Sequence, residues 1–255
     1  MKLAKVAFLG SLIIFLSLEA VIVWPNFFYW PLLALNLAIF FTIYLVTRHR
    51  PEELDWLNFL ILPLVLLNSL VVCVGLLPIV SFWDKFVNQA LFVAAVYFFI
   101  IYIRNLWLYF NFPERPNNLI NFSAGVGFLA FWLSAAAIFG LQLFLNLSYL
   151  TLILILAIVA GLLAYENLVI NNLKIKDNWW FALLVSFITL QIGWALYFLP
   201  FVYSVLALVL ALIYYVVMSV IRLYLLGNLQ KRTLKPLLIY IIIILALVFL
   251  TIRWR

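Results

Sequence analysis

Runs of about 20 apolar residues follow one another along almost the whole chain, and they constrain its fold more than any other feature. A run of that length without a fixed charge can cross the hydrocarbon core of a bilayer as a single α-helix. Hydrophobic residues make up 70% of the 255 residues and charged residues only 9%, which is far from the composition of soluble domains. The sequence therefore predicts a membrane protein.

The apolar runs predict an all-α, polytopic bundle of about nine transmembrane helices, or eight if the last run lies in the membrane interface. Short loops marked by proline and asparagine separate the runs and leave no room for a soluble domain, so we interpret residues 1–255 as a single transmembrane domain. The predicted spans cover residues 3–23, 28–47, 57–80, 86–110, 119–141, 147–166, 179–199, 202–226 and 237–252.

Basic residues alternate between the two ends of these spans in a way that orients the chain. Loops that stay in the cytoplasm are enriched in Lys and Arg. With a cytoplasmic N-terminus, twelve Lys and Arg residues fall on the cytoplasmic side and three on the other side. The first run continues past Glu19 without a small-residue cleavage site, which predicts an uncleaved span rather than a signal peptide. We therefore expect a multi-pass protein of a bacterial or archaeal cytoplasmic membrane with its N-terminus inside.

Small residues recur every three or four positions in two neighbouring spans, so that in each span they lie on one helical face. Such stripes allow membrane helices to approach closely. We therefore predict that the fifth and sixth spans form a tight pair. The stripe residues are Ser123, Gly127, Ala130, Ser134 and Ala137 in the fifth span, and Ala157, Gly161 and Ala164 in the sixth.

Four polar side chains within the apolar runs are candidates for ligand binding, namely Glu19, Asn36, Asn68 and Gln191. A carboxylate inside an apolar span is costly and tends to face a partner or water. The three amides could instead form hydrogen bonds between helices, which is the usual role of such side chains in membranes. If all four converge, they make a polar pocket open toward the outside.

A second candidate group stands near the predicted cytoplasmic ends of three spans. Arg104, Glu166 and Arg222 lie at similar depth and could bind an anionic lipid or an anionic substrate. The alternative is that both arginines extend along apolar surface to reach lipid phosphates.

No catalytic constellation is visible in the sequence. The single histidine, His49, lies outside the predicted spans, and the three aspartates fall in different loops. We therefore predict no enzyme, no metal site and no cofactor. The basic residues are scattered rather than gathered into a groove, which argues against nucleic acid.

Two classes of function remain, and both have the lipid bilayer as a partner. The polar residues favour transport or binding of a small solute or a lipid. The alternative is a non-catalytic membrane scaffold or accessory subunit that binds another membrane protein, and a homo-oligomer is compatible with either class.

Overall fold

Helices form all the regular secondary structure in the described part of the chain. The computed structural model describes residues 2–24, 27–48, 56–76, 82–112, 117–171, 175–199 and 201–227, together with residues 235, 239 and 246. The helices, in chain order, are α1 (Lys2–Val23), α2 (Tyr29–Thr47), α3 (Ile61–Leu76), α4 (Phe82–Asn111), α5 (Asn117–Leu145), α6 (Tyr149–Ile170), α7 (Ile175–Tyr197) and α8 (Tyr203–Leu225). A 3-10 turn over Trp56–Leu60 leads directly into α3.

These helices supply eight stretches that are long and apolar enough to cross a membrane. The shortest stretches have 19 residues, and at a rise of about 1.5 Å per residue they match the roughly 30 Å hydrocarbon core. Helices are expected there because lipid offers no hydrogen-bond partner to the backbone. The predicted helical bundle is thus confirmed for the described residues. All but two residues of the predicted ninth span, 237–252, lie outside them.

The chain forms two compact units, Met1–Val126 and Gly127–Arg255. The boundary falls inside α5, so this helix contributes residues to both units. Each unit is built from membrane-length helices in its described residues. The region that we interpreted as a single transmembrane domain therefore contains two groups of helices, one in each unit.

In the first unit, α1 packs closely against α2 and also contacts α4. Gly10 permits the approach of α1 to α2, because a Cβ atom at this position would overlap the side chain of Thr42. The Thr42 hydroxyl donates to the backbone oxygen of Ala38 at 2.6 Å, so this buried group has its partner within its own helix. The centre of the unit contains fully buried aliphatic side chains: Ile14, Leu18, Ile39, Leu67, Ile103 and Leu106.

The 3-10 turn joins the start of the third span to the helices on either side. The Tyr102 hydroxyl of α4 donates to the backbone oxygen of Phe59 at 2.8 Å. The Trp56 ring makes edge contacts with Phe40 and Tyr44 of α2, with ring centroids 5.0 and 5.5 Å apart. These contacts fix the turn between α2 and α4.

In the second unit, α6 and α7 make the most extensive contact between two helices in the described part of the chain. Gly161 of α6 lies against α7: a Cβ atom built on it would overlap Ser186 and stand 3.5 Å from the backbone oxygen of Ala182. The Ser186 hydroxyl donates to the backbone oxygen of Ala157 on α6. Helix α7 therefore packs against the small residues of α6.

Among the described residues α5 and α6 are not a closely packed pair, so the predicted pairing of the fifth and sixth spans is wrong. Every member of the stripe on α5 is buried: Ser123, Gly127, Ala130, Ser134 and Ala137. A Cβ atom on Gly127 would nevertheless meet no described atom within 4 Å. Instead, α5 contacts α8 through large rings, because Phe131 stacks on Tyr214 with the ring centroids 4.3 Å apart.

Candidate functional site

Two of the predicted binding residues are bonded to each other across helices. The Asn68 amide nitrogen donates to the Asn36 side-chain oxygen at 2.8 Å, and the Asn36 nitrogen donates back at 3.2 Å. Each nitrogen also donates within its own helix, to Leu32 at 2.9 Å and to Leu64 at 2.7 Å. The two amides thus satisfy one another and join α2 to α3.

This reciprocal pair makes a prediction about stability. We expect Asn68→Leu to destabilise the protein by about 1–2 kcal/mol, since it leaves the half-buried Asn36 amide without its partner. The double variant Asn36→Leu/Asn68→Leu should recover most of that loss, because no amide is then left unpaired. Thermal unfolding of the purified full chain measures both. Equal losses that add in the double variant would contradict a coupled pair.

Gln191, the third predicted amide, lies on α7 in the second unit, and its side chain is exposed. Asn36 and Asn68 are hydrogen-bonded to each other, so in the described structure these two amides are not available to a ligand. Of these four residues, Glu19 is the one with a buried side-chain atom that has no hydrogen-bond partner among the described residues.

Glu19 lies near the end of α1 and is half-buried. Its Oε1 atom is buried and has no hydrogen-bond partner among the described residues. A carboxylate oxygen in such surroundings loses its hydration without gaining a protein donor, which is unfavourable. The site therefore holds an acceptor ready for a ligand or a water molecule.

Asn88 of α4 is a candidate that the sequence analysis missed. Only 2% of this residue is exposed, and neither its side-chain nitrogen nor its side-chain oxygen has a partner in the described part of the chain. Asn88 and three buried apolar residues of α4 follow one another at spacings of four, three and four residues. The three apolar residues are Phe92, Ala95 and Phe99. This periodicity marks the inward face of α4 and could have identified Asn88 from the sequence.

A cleft of about 540 Å³ opens between α1 and α2 in the first unit. It lies where α1 ends and α2 begins, and Trp24, Phe27 and Trp30 are its aromatic walls. Ser17 supplies a hydroxyl, and the other lining residues are Ile13, Leu16, Ala20, Pro31 and Ala34. Glu19 is not among the lining residues, because at about 100° per residue it lies roughly 100° around α1 from Ala20 and 160° from Ser17.

The second predicted group separates into residues with different surroundings. Arg104 belongs to the first unit, and its side chain is exposed. Glu166 is buried in the second unit with 2% exposure and interacts electrostatically with Tyr214 of α8. Arg222 is half-buried in the last turn of α8, where a cation is favoured by the helix dipole.

Acidic, histidine and cysteine side chains are sparse in the described part of the chain. Within it, no three of them come together in a way that could hold a metal ion. Cys73, on α3, is half-buried and forms no disulfide. The candidate polar groups discussed in the first unit are therefore carboxylate, hydroxyl and amide groups.

These features define the class of protein. It is an all-helical bundle with eight described helices that are long and apolar enough to span a membrane. The family model described as "Protein of unknown function (DUF5656)" matches residues 26–254, and the chain belongs to this family. No curated protein matches the chain, and no solved structure matches it.

Proposed function

We propose that the protein binds a small solute inside the first unit, at Glu19 and Asn88, and transports it across a prokaryotic cytoplasmic membrane. One observation carries this proposal: Asn88 is almost completely buried, yet neither of its polar atoms has a described partner. A buried amide without partners costs about 1–3 kcal/mol of stability. A bound solute, like an ordered water molecule, can supply the missing partner of such an amide.

Two buried hydroxyl groups of this unit show the pattern from which Asn88 departs. Ser11 donates to Ala7 at 2.7 Å, and Thr47 donates to Ile43 at 2.9 Å, both within their own helices. Backbone acceptors thus satisfy these hydroxyl groups at short range. The amide at position 88, which has no such partner among the described residues, points to a requirement other than folding.

Glu19 and Asn88 lie on helices that pack against each other, α1 and α4. Glu19 is four residues before the end of α1, and Asn88 is six residues after the start of α4. By helical rise these positions are about 6 Å and about 9 Å from the respective helix ends. Successive spans cross in alternating directions, so both helix ends lie on the same side of the membrane. The two groups therefore have similar depth.

The cleft between α1 and α2 opens at this same end of the first unit. With a cytoplasmic N-terminus, as the distribution of basic residues indicates, this end faces the outside of the cell. The cleft thus lies at the same end of the unit as Glu19 and Asn88, and neither residue lines it. Mostly apolar lining with a few polar groups is typical of small-molecule sites.

The test is a thermal-shift measurement on the purified full chain with sodium, potassium, ammonium, choline, glycine and glucose as separate probes. A ligand that binds the folded state raises the apparent melting temperature by mass action. We expect one probe to stabilise the wild type and to lose its effect in Glu19→Gln and in Asn88→Leu. The probe that acts should then accumulate inside proteoliposomes that contain the protein.

The matched control is Asn121→Leu, which removes an exposed amide of the first unit. It should retain the ligand-dependent shift in full. If no probe shifts the melting temperature, or if Asn121→Leu abolishes the shift as completely as Asn88→Leu does, the solute-binding proposal is overturned. The scaffold alternative then takes its place, with the polar groups in structural roles.

A further inference from the structure

The third membrane-length stretch contains a segment that is not α-helical. This stretch covers Trp56–Leu76, and its first five residues, Trp56–Leu60, form the 3-10 turn that precedes α3. A 3-10 segment within a longer helix often marks a functional hinge. Irregular backbone at membrane depth also needs hydrogen-bond partners from neighbouring helices. The junction between the turn and α3 is therefore a place where this stretch can bend.

Pro63 interrupts the backbone hydrogen bonds that would join the turn to α3. Proline has no backbone N–H, so position 63 cannot donate to the backbone oxygen of Phe59, four residues earlier. The hydroxyl of Tyr102 on α4 donates to this same oxygen at 2.8 Å. A side chain of a neighbouring helix thus takes the place of the bond that the helix lacks, and the interruption leaves the Phe59 oxygen satisfied.

The turn before Pro63 is anchored to the helices on both sides. The Phe59 side chain is fully buried, and its ring lies against Tyr109 and Phe110 of α4 with ring centroids 6.0 and 5.5 Å apart. On the other side, the Trp56 ring makes edge contacts with two rings of α2. We therefore call Trp56–Leu60 the anchored turn, and Pro63 separates it from most of α3.

Beyond Pro63, α3 is held less closely. Among the described residues it contacts α1, α2 and α4, but each contact is less extensive than that between α1 and α2. A cavity of about 10 Å³ lies beside Pro63, with Leu66 of α3 and Phe98 and Tyr102 of α4 in its lining. Protein interiors are normally close-packed, so packing is incomplete at the point where α3 leaves the anchored turn.

The Asn36–Asn68 pair holds α3 in the position that the structure shows. Asn68 lies five residues beyond Pro63, and its amide exchanges hydrogen bonds with Asn36 of α2. Interhelical hydrogen bonds of this kind are individually weak in membranes. The pair can therefore open and re-form, which a reversible movement of α3 requires.

We propose that α3 is a gate helix of the first unit, which pivots at Pro63 on the anchored turn. Its last residue, Leu76, lies about 20 Å along the helix from Pro63, so a pivot of about 10° moves that end by about 3–4 Å. Because successive spans alternate in direction, this end lies on the same side of the membrane as Glu19 and Asn88. Helix α3 also contacts α1 and α4, which carry those two residues. The gate role rests on the proposed function, whereas the pivot requires no solute.

The experiment measures the distance between two spin labels by electron paramagnetic resonance, in the full chain in lipid nanodiscs and without solute. The labels are attached through Val23→Cys at the end of α1 and Gly75→Cys near the end of α3, which are both exposed, with Cys73 replaced by alanine. We expect a major and a minor distance population. Asn68→Leu should raise the minor population about two- to threefold, because it removes the amide pair. Pro63→Ala restores a backbone donor and should leave one narrow population.

Two controls separate a pivot at Pro63 from general loosening. Labels at Val23 and at Leu57, an exposed residue of the anchored turn, should give one narrow population in every variant. Pro31→Ala makes the same exchange at the third residue of α2, whose membrane-length stretch begins at Tyr29 without a preceding turn, and should change nothing. A single narrow population in both the wild type and Asn68→Leu, or equal effects of Pro31→Ala and Pro63→Ala, would overturn the pivot.

The Tyr102 hydroxyl gives an independent readout of the interruption at Pro63. Tyr102→Phe should lower the apparent melting temperature by about 2–6 °C, since the Phe59 oxygen loses its side-chain donor. In the Pro63→Ala background the loss should be at most about half as large, because the new N–H at position 63 can bond to the same oxygen. Equal losses in the two backgrounds contradict the replacement of one bond by the other.

The outcomes for the pivot and for the solute site are distinguishable. If the two distance populations behave as expected while every probe of the thermal-shift screen fails, the pivot stands and the gate role falls with the proposed function. If a probe binds with dependence on Glu19 and Asn88 while α3 shows one fixed position in all variants, the proposed function stands and this inference is overturned.

Discussion

Gly161→Leu should lower the stability of the protein by about 2–4 kcal/mol, the largest single effect that we expect outside the aliphatic core. A side chain at position 161 would occupy the space of Ser186 and press on the backbone of α7 near Ala182. It would also break the hydrogen bond from Ser186 to the backbone oxygen of Ala157. The apparent melting temperature of the purified full chain should fall by about 5–10 °C.

Gly125→Leu is the matched control for this variant. Gly125 lies within α5 and is exposed, and a Cβ atom there would meet no described atom within 4 Å. The exchange brings the same gain in helix propensity without a steric penalty, so the melting temperature should stay the same or rise slightly. Equal destabilisation in the two variants would show that the α6–α7 contact at Gly161 is not the cause.

The helices themselves were predictable because the bilayer leaves the backbone little choice. Apolar runs therefore located eight helices, while the ends of those helices were less certain. The sixth span was predicted to end at Glu166, whereas α6 continues to Ile170. A polar residue marks a span end only if it needs water, and Glu166 is instead buried within the protein.

Helix pairing could not be read from the stripes of small residues. A stripe indicates that a helix can be approached closely, but it does not identify the neighbour. The stripe around Gly161 accommodates α7, which lies next along the chain. The stripe around Gly127 is buried, but a Cβ atom at this glycine would meet no described atom within 4 Å. The identity of a partner depends on complementary surfaces on two helices, which a single run of residues does not contain.

The candidate site was predictable only in part. Glu19 was evident because a carboxylate in an apolar run is rare. Asn36 and Asn68 were evident for a similar reason, but their mutual hydrogen bonds depend on the register between α2 and α3. Asn88 was missed because the fourth span was predicted to start at residue 86, only two residues before it, whereas α4 begins at Phe82.

Asn88→Leu should stabilise the protein in the absence of a ligand, by about 1–3 kcal/mol, and so raise the apparent melting temperature by several degrees. The physical reason is that the folded state buries an amide whose two polar atoms have no described partner, and leucine removes that penalty while filling a similar space. The same exchange at Asn68, where the amide is bonded, should have the opposite sign. The measurement is thermal unfolding of the two variants and the wild type in ligand-free buffer.

If Asn88→Leu lowers the melting temperature as Asn68→Leu does, the amide at position 88 has a structural partner. If it raises stability but abolishes the ligand-dependent shift, then the chain keeps an unfavourable amide in its core because the ligand, rather than the fold, requires it.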